Sequence, residues 1–216
     1  MNKLKNVQGI IFDMDGTLID SMPMWENIAS EYLKIKGFTP EENLGAILKK
    51  MSLRQGTEYV IDTYCIKETT EKIIEGINKL VIEKYEKELP AKEGVVELIR
   101  RLAEKKVAMC VATASDYEVA KLCLERIGVF NYLKGVYTCD HIGAGKDEPA
   151  IFEHALRELG TQKENTYVFE DSLHALETAK NAGFKVVGVY DEASGDEEER
   201  IRQRSDFYIT TMAELL

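Results

Sequence analysis

Short apolar runs alternate with helical segments over most of the chain, and this alternation limits the folds available to it. The runs that read as strands lie near residues 9–12, 107–112, 135–138, 166–169, 185–190 and 207–209. Between most of them lie segments of about 10–15 residues with apolar positions three and four apart. This alternation predicts βαβ units and an α/β fold with a doubly wound parallel sheet.

One block, from about residue 22 to residue 88, departs from the alternation. Its apolar residues recur only at helical spacing, and no strand pattern intervenes. Thr39 is the predicted N-cap of its second helix, with Glu42 at the capping-box position. The block therefore predicts a small all-helical domain.

The predicted domain organisation is a core with one insertion. We assign residues 1–18 and 89–216 to the α/β core and residues 19–88 to the helical domain inserted after the first strand. A chain of 216 residues and 24.5 kDa is long enough for both.

The first predicted strand ends abruptly in two carboxylates. Asp13 and Asp15 follow the apolar run, separated by Met14, so strict alternation directs both carboxylates to the same face. Gly16 then permits a tight turn or the close approach of a ligand. Open α/β sheets bind ligands at this edge, which makes the pair a candidate site.

Other polar groups follow the ends of later strands or the loops beside them. Thr113 and Ser115 follow the second strand, Glu170 and Asp171 end the fourth, and Lys146 lies in a glycine-containing loop. Four carboxylates at one sheet edge would repel one another without a cation, and Mg²⁺ prefers oxygen ligands of this kind. Metal and ammonium would neutralise a phosphoryl group that a carboxylate attacks.

Each of these residues also has a purely structural interpretation. Ser115 would cap the following helix, Lys146 would be an ordinary surface lysine, and Glu170 with Asp171 would favour a helix dipole. The combination and its order along the chain favour the site.

The set resembles the motifs of the haloacid dehalogenase superfamily, over essentially the whole chain. The matching positions are Asp13-Met14-Asp15-Gly16-Thr17, then Thr113, Lys146 and Glu170-Asp171. The helical insertion resembles the superfamily's small helical cap. The resemblance implies that Asp13 is a nucleophile forming an aspartyl-phosphate, and that Asp15 protonates the leaving alcohol and then deprotonates water.

The resemblance also implies a Mg²⁺ site and a phosphoryl-binding pair. The implied metal ligands are Asp13, the backbone carbonyl of Asp15, Asp171 and Glu170, the last directly or through water. Thr113 and Lys146 would bind the transferring phosphoryl group. Asp15, where dehalogenase-like members carry a different residue, favours phosphoester chemistry.

Within the family, the sequence favours a phosphatase over a mutase. Residues 49–54 resemble the cap region of beta-phosphoglucomutase, but Trp25 stands where that enzyme has a histidine. Asp116 and Tyr117 stand where it holds a second phosphate, which an acidic residue would repel. The substrate is predicted to be a small phosphorylated metabolite such as a sugar or polyol phosphate.

Substrate contacts are predicted from the cap and from one core residue. The candidates are Trp25, Lys50, Arg54 and Ser115. Trp25 could instead anchor the packing of the helical domain, and Lys50 and Arg54 could simply be solvated. Alternatives from other classes are a phospho-receiver signalling module and a non-catalytic binding protein. A receiver carries its aspartate on a middle strand without a helical insertion, and a binding protein would usually have lost an acidic group.

The net charge and the cysteine content indicate which binding partners and which cellular location to expect. The net charge of −10 disfavours nucleic acid and anionic membranes. The four scattered cysteines show no metal-ligand spacing, and we expect them reduced in a cytoplasmic protein, a monomer or weak dimer. The acidic run from Asp191 to Glu199 is interpreted as a solvated turn.

Overall fold

The computed structural model describes residues 4–49 and 51–216, which form two compact units. The larger unit contains the chain up to Met22 together with Leu89–Leu216, and the smaller one contains Pro23–Glu88. The sequence predicted boundaries after residues 18 and 88, whereas the units divide after residues 22 and 88. That the smaller unit acts as a cap stays a prediction.

The larger unit is built on a parallel sheet of six strands within the described residues. The strands are β1 (Gly9–Phe12), β2 (Ala108–Thr113), β3 (Val136–Thr138), β4 (Thr166–Glu170), β5 (Lys185–Val189) and β6 (Phe207–Ile209). Their order is β3-β2-β1-β4-β5-β6, and every pairing is parallel. The predicted α/β class with a parallel sheet is confirmed.

The strands are largely apolar because the sheet is covered on both faces. Ile11 lies in register with Cys110 and with Val168, and these residues join a buried cluster with helix residues. The adjacent positions point the other way, and there the rings of Phe12 and Phe169 pack with centroids 5.0 Å apart. Both sets are buried, as expected for a parallel sheet between helical layers.

The strand order reverses direction at β1. β2 and β3 lie on one side of β1, and β4, β5 and β6 lie on the other side. Such a switch point opens a crevice at the carboxyl ends of the strands, which is where open α/β sheets bind ligands. The residues that follow β1 therefore occupy the position where a site is most expected.

The helices of the larger unit follow the strands in turn. They are α5 (Val95–Glu104), α6 (Tyr117–Arg126), α7 (Cys139–Ile142), α8 (Ala150–Leu159), α9 (Leu173–Asn181) and α10 (Glu198–Arg204). The smaller unit is helical, with α1 (Met22–Ile35), which begins at the boundary, then α2 (Leu44–Leu48), α3 (Leu53–Tyr64) and α4 (Thr70–Lys87). No helix in the described parts of the chain has the length and apolarity that crossing a membrane requires.

The predicted N-cap at Thr39 is wrong. The second helix begins at Leu44, with Asn43 at its N-cap and no side-chain capping bond. The backbone N–H of Glu41, which a Thr39 cap would bind, donates instead to the hydroxyl of Tyr64 at 2.9 Å. A tertiary contact has replaced the local one. A capping box does occur at the next helix, where Ser52 and Gln55 bond each other's backbone N–H groups.

The acidic run after β5 is not a solvated turn throughout. Its first residue, Asp191, is buried and forms an ion pair with Lys92 at 2.9 Å. The residues that follow form a short 3₁₀ turn and then α10. The interpretation from charge alone missed the buried partner, because Lys92 is distant in the sequence.

Candidate functional site

Three buried carboxylates meet at the carboxyl ends of β1 and β4. Asp13 directly follows β1, Glu170 ends β4, and Asp171 comes next. The Asp13 backbone N–H donates to the Phe169 carbonyl at 2.9 Å, so the two strand ends stay aligned where the carboxylates begin. One oxygen from each carboxylate lies within 4.8 Å of the others. Of the four carboxylates that the strand pattern predicted to meet, these three lie together, and Asp15 is not in the group.

Lys146 is the cation of this cluster. Its ammonium donates to Asp13 Oδ1 and, at 2.7 Å, to Glu170 Oε1. Burial lowers the pKa of Lys146, but the attraction of Asp13 and Glu170 outweighs it and raises the pKa above its ordinary value. Lys146 is therefore a buried, charged member of the site, and the surface-lysine interpretation is wrong.

One ammonium does not neutralise three carboxylates. Burial raises the pKa of Asp13 from 3.8 to about 7; Lys146 opposes this rise, and Glu170 and Asp15 add to it. Burial, then Asp13 and Glu170, also raise the pKa of Asp171 well above its ordinary value. The site carries an excess of negative charge that a bound cation would relieve.

Asp13 Oδ2 shows where such a cation fits. It is buried and has no hydrogen-bond partner among the described residues. A buried carboxylate oxygen without a partner is costly, and three clustered carboxylates form the oxygen donor set that a hard divalent cation prefers. The residues present therefore fit a divalent metal.

Glu170 is held differently from the two aspartates. Its Oε1 accepts from Lys146, and its Oε2 accepts from the hydroxyl of Ser172 at 3.1 Å and from the Ser172 backbone N–H at 3.3 Å. Both oxygens are thus occupied by protein donors. Ser172 was not among the predicted site residues, although a hydroxyl residue directly after two acidic ones was a visible signal.

Asp171 is positioned by the turn that follows β1. The Thr17 hydroxyl donates to Asp171 Oδ1 at 3.1 Å. Gly16 adopts a φ of +80°, and a Cβ on it would stand 2.4 Å from Asp171 Oδ2. Gly16 is therefore required both by its backbone conformation and by the close approach of a carboxylate. Thr17 lay in the quoted motif, but sequence reasoning assigned it no role.

Asp15 occupies a separate environment. Its Oδ1 accepts from the Ser21 hydroxyl at 2.7 Å and its Oδ2 from the Ser115 hydroxyl at 2.6 Å. Its side chain is not in the three-carboxylate cluster. Two aspartates separated by one residue thus have different partners, as expected if they have different tasks.

Thr113 ends β2, and Ser115, two residues later, lies beside Asp15. Thr113 is buried, and its hydroxyl accepts the Ser115 backbone N–H at 3.0 Å. The prediction that Ser115 caps α6 is wrong, because Asp116 is the N-cap and accepts from Glu118 N at 2.9 Å. The Ser115 hydroxyl is free of that task because it bonds Asp15 instead.

The remaining candidates belong to the helical unit. The Trp25 indole donates to the Tyr85 hydroxyl at 3.1 Å, and the Trp25 side chain is still 42% exposed. Both terminal nitrogens of Arg54 donate to Glu71 Oε1 at 3.1 Å. Lys50 lies outside the described residues.

Comparison with known proteins identifies the family. Residues 10–189 match the family of haloacid dehalogenase-like hydrolases. The chain belongs to this family. The resemblance seen in the motifs is confirmed, and with it the prediction of a hydrolase.

Curated relatives of this haloacid dehalogenase-like hydrolase include phosphatases. A phosphoglycolate phosphatase of Rhodobacter capsulatus is 28% identical over 191 residues, covering 85% of this chain and 84% of the relative. A phosphorylated carbohydrates phosphatase of Thermotoga maritima is 26% identical over 184 residues, covering 85% of each chain. These relatives support the prediction of a phosphoric monoester hydrolase.

A solved structure shares the fold over nearly the whole chain. A Thermotoga maritima protein, provisionally assigned as a beta-phosphoglucomutase, superposes with a TM-score of 0.86 and covers 97% of each chain. Its sequence identity is 24%, so this likeness concerns the fold alone.

Proposed function

We propose that the protein is a Mg²⁺-dependent phosphatase that hydrolyses a small phosphorylated metabolite, such as a sugar or polyol phosphate, through an aspartyl-phosphate. The observation that carries the proposal is the buried cluster of Asp13, Glu170 and Asp171 around Lys146, with Asp13 Oδ2 lacking a protein partner. The phosphatase names of the relatives support the substrate class.

Asp13 is the proposed nucleophile. A carboxylate oxygen attacks phosphorus, the bond to the substrate oxygen breaks, and the phosphoryl group is carried on Asp13 until water releases it. Lys146 stays charged beside Asp13 and offsets negative charge on the phosphoryl oxygens. Thr113 ends the neighbouring strand and is the proposed second phosphoryl-binding group.

Asp15 is the proposed proton carrier. It gives a proton to the departing alcohol and takes one from the attacking water. Ser21 and Ser115 hold one oxygen each, which fixes the orientation of the carboxyl group. Ser115 was predicted to bind substrate, but this bond favours a role in positioning Asp15.

The proposed metal ligands are Asp13, Asp171 and the Asp15 backbone carbonyl. Both Glu170 oxygens already accept protein hydrogen bonds, so we propose that Glu170 would contact the metal ion through a bridging water molecule. When bound, Mg²⁺ supplies positive charge that neutralises phosphoryl oxygens.

Hydrolysis is favoured over isomerisation by the residues after β2. Asp116, where the mutase holds a second phosphate, has its carboxylate fixed by two backbone N–H groups of α6. A fixed negative charge there would repel a bisphosphate intermediate. Trp25, Lys50 and Arg54 remain the proposed substrate contacts of the cap, and a cytoplasmic location remains a prediction.

Phosphate release over a panel of phosphorylated metabolites tests the proposal. Wild type, Asp13→Asn and the matched control Asp62→Asn, an exposed aspartate of the helical unit, would be assayed with Mg²⁺ and with EDTA. We expect Asp13→Asn to lose about 10⁴-fold or more in turnover and the control to match wild type.

Two outcomes would overturn parts of this proposal. Normal turnover by folded Asp13→Asn would exclude the covalent mechanism. Isomerisation of a hexose 1-phosphate in the presence of a bisphosphate, without net phosphate release, would establish the mutase instead.

A further inference from the structure

The Lys92 side chain joins the turn after β1 to the end of β5. Its ammonium donates to the Gly16 carbonyl at 2.7 Å, to the Tyr190 carbonyl at 2.5 Å and to Asp191 Oδ2 at 2.9 Å. Only 15% of this side chain is exposed. All three ammonium protons therefore have acceptors, and two of those acceptors are backbone carbonyls on different elements.

The backbone around Lys92 is also tied to the chain beyond this turn. The Lys92 N–H donates to the Leu18 carbonyl at 2.9 Å, and Ile19 forms an antiparallel bridge with Ala91. Ammonium and backbone together hold the turn at two points. The Gly16 carbonyl belongs to the Gly16–Thr17 peptide, so the ammonium restrains the plane of that peptide.

That peptide is the one that positions Asp171. Gly16 packs directly against the Asp171 carboxylate, and the Thr17 hydroxyl donates to its Oδ1. We propose that Lys92 is a positioning residue, which orients Asp171 for metal binding through the Gly16–Thr17 peptide. This inference rests on the proposed function, in which Asp171 is a metal ligand.

Asp191 is the counter-ion that allows an ammonium to remain there. It is buried, its Oδ2 accepts from Lys92, and its Oδ1 accepts from the Ala193 N–H at 3.0 Å. Removing the Lys92 ammonium or the Asp191 carboxylate alone would leave the remaining charge buried without its counter-ion. Removing both would leave neutral groups and delete the bonds of the ammonium to the Gly16 and Tyr190 carbonyls.

This difference separates positioning from charge compensation. Lys92→Met, Asp191→Asn and the double variant would be titrated with Mg²⁺ by isothermal titration calorimetry, after circular dichroism shows that each is folded. We expect Lys92→Met and the double variant to bind Mg²⁺ about 10-fold more weakly than wild type, because groups that orient a metal ligand contribute on this scale. Asp191→Asn keeps the bond to Gly16 and removes a negative charge that acts on Asp171, so its dissociation constant measures the charge effect alone, which the charge-balanced double variant does not contain.

The double variant decides the outcome even if Lys92→Met does not fold. Wild-type Mg²⁺ affinity in the double variant would overturn the inference and leave Lys92 as a partner of Asp191 only. Asp171→Asn distinguishes this failure from that of the proposed function. If Asp171→Asn binds Mg²⁺ like wild type, the proposed metal site and the inference both fall. If Asp171→Asn binds Mg²⁺ more weakly while the double variant binds it like wild type, the metal site stands and only the inference falls.

Discussion

The two units of this protein use charged side chains in opposite ways. In the helical unit, Lys79 pairs with Glu75 one turn away, and both side chains are mostly exposed. At the sheet edge of the core, Lys146 pairs with Asp13 and Glu170, and all three are buried. The first pair could be found from spacing within a helix, whereas the second joins residues far apart in the sequence.

The two kinds of ion pair differ in what they cost the fold, and this indicates which charges serve a function. An exposed pair costs little to form and contributes little to stability. Buried charges are costly, and the cluster at the sheet edge holds more carboxylates than Lys146 can neutralise. A fold would not be expected to keep that excess unless a ligand used it. The contrast can be tested by making the same change in both units.

The largest effect is expected for Lys146→Met, compared with Lys79→Met. Without its ammonium the core site keeps three buried carboxylates, so the free energy of unfolding should fall by about 3 kcal/mol in the presence of EDTA, and activity should be lost. Lys79→Met should leave both unchanged. Urea unfolding and phosphate release measure the two quantities. Equal effects of the two substitutions would contradict the contrast between the units.

An intermediate effect is expected from pH and metal together. The pKa of Asp13 is raised from 3.8 to about 7 in the folded protein, so the folded state holds a proton that the unfolded state has lost between these values. The metal-free free energy of unfolding should therefore fall as the pH rises from about 4 to 7, by at most about 1.4 kcal/mol per pH unit for one group. Mg²⁺ binds the deprotonated carboxylates, so the increase in Tm that it causes should be larger at pH 8 than at pH 5.

In the helical unit the dependence of stability on pH has the opposite sign. There the partners Lys79 and Lys36 lower the pKa of Glu75 and of Glu68 below the ordinary 4.5, so these pairs lose stability only as the pH falls below that value. Thermal scans with EDTA and with Mg²⁺ at several pH values measure both effects. A metal-free Tm that rises steadily from pH 5 to pH 7 would contradict the raised pKa of the core site.

The smallest effect is expected at Arg54. Its ion pair with Glu71 is exposed, so Arg54→Ala should leave the urea midpoint unchanged. If Arg54 contacts substrate, as proposed, KM should rise by about threefold to tenfold with little change in kcat. Steady-state kinetics on the best substrate of the panel measure this change.

Glu71→Gln is the matched control for Arg54. It weakens the same ion pair but keeps the guanidinium, so KM should not rise. A KM that is unchanged in Arg54→Ala would remove Arg54 from the proposed substrate contacts.

Sequence patterns alone were enough to predict the parallel sheet and the meeting of Asp13, Glu170 and Asp171 at its edge. A parallel sheet is covered by helices on both faces, so each of its strands appears in the sequence as a continuous apolar run between two helical segments. Asp13, Asp15, Glu170 and Asp171 were found because each follows such a run, and parallel strands bring their ends to one edge.

The hydrogen-bond partners of these acids, in contrast, could be read only from the folded structure. Asp15 binds two serines while Asp13 binds Lys146, and Lys92 joins Gly16 to Asp191. The same applies to Glu41, whose N–H donates to Tyr64 instead of a local cap. These contacts span many residues, and no local periodicity encodes them. They arise from which loops the folded sheet brings together, and so a pattern identifies the acids but not the groups that hold them.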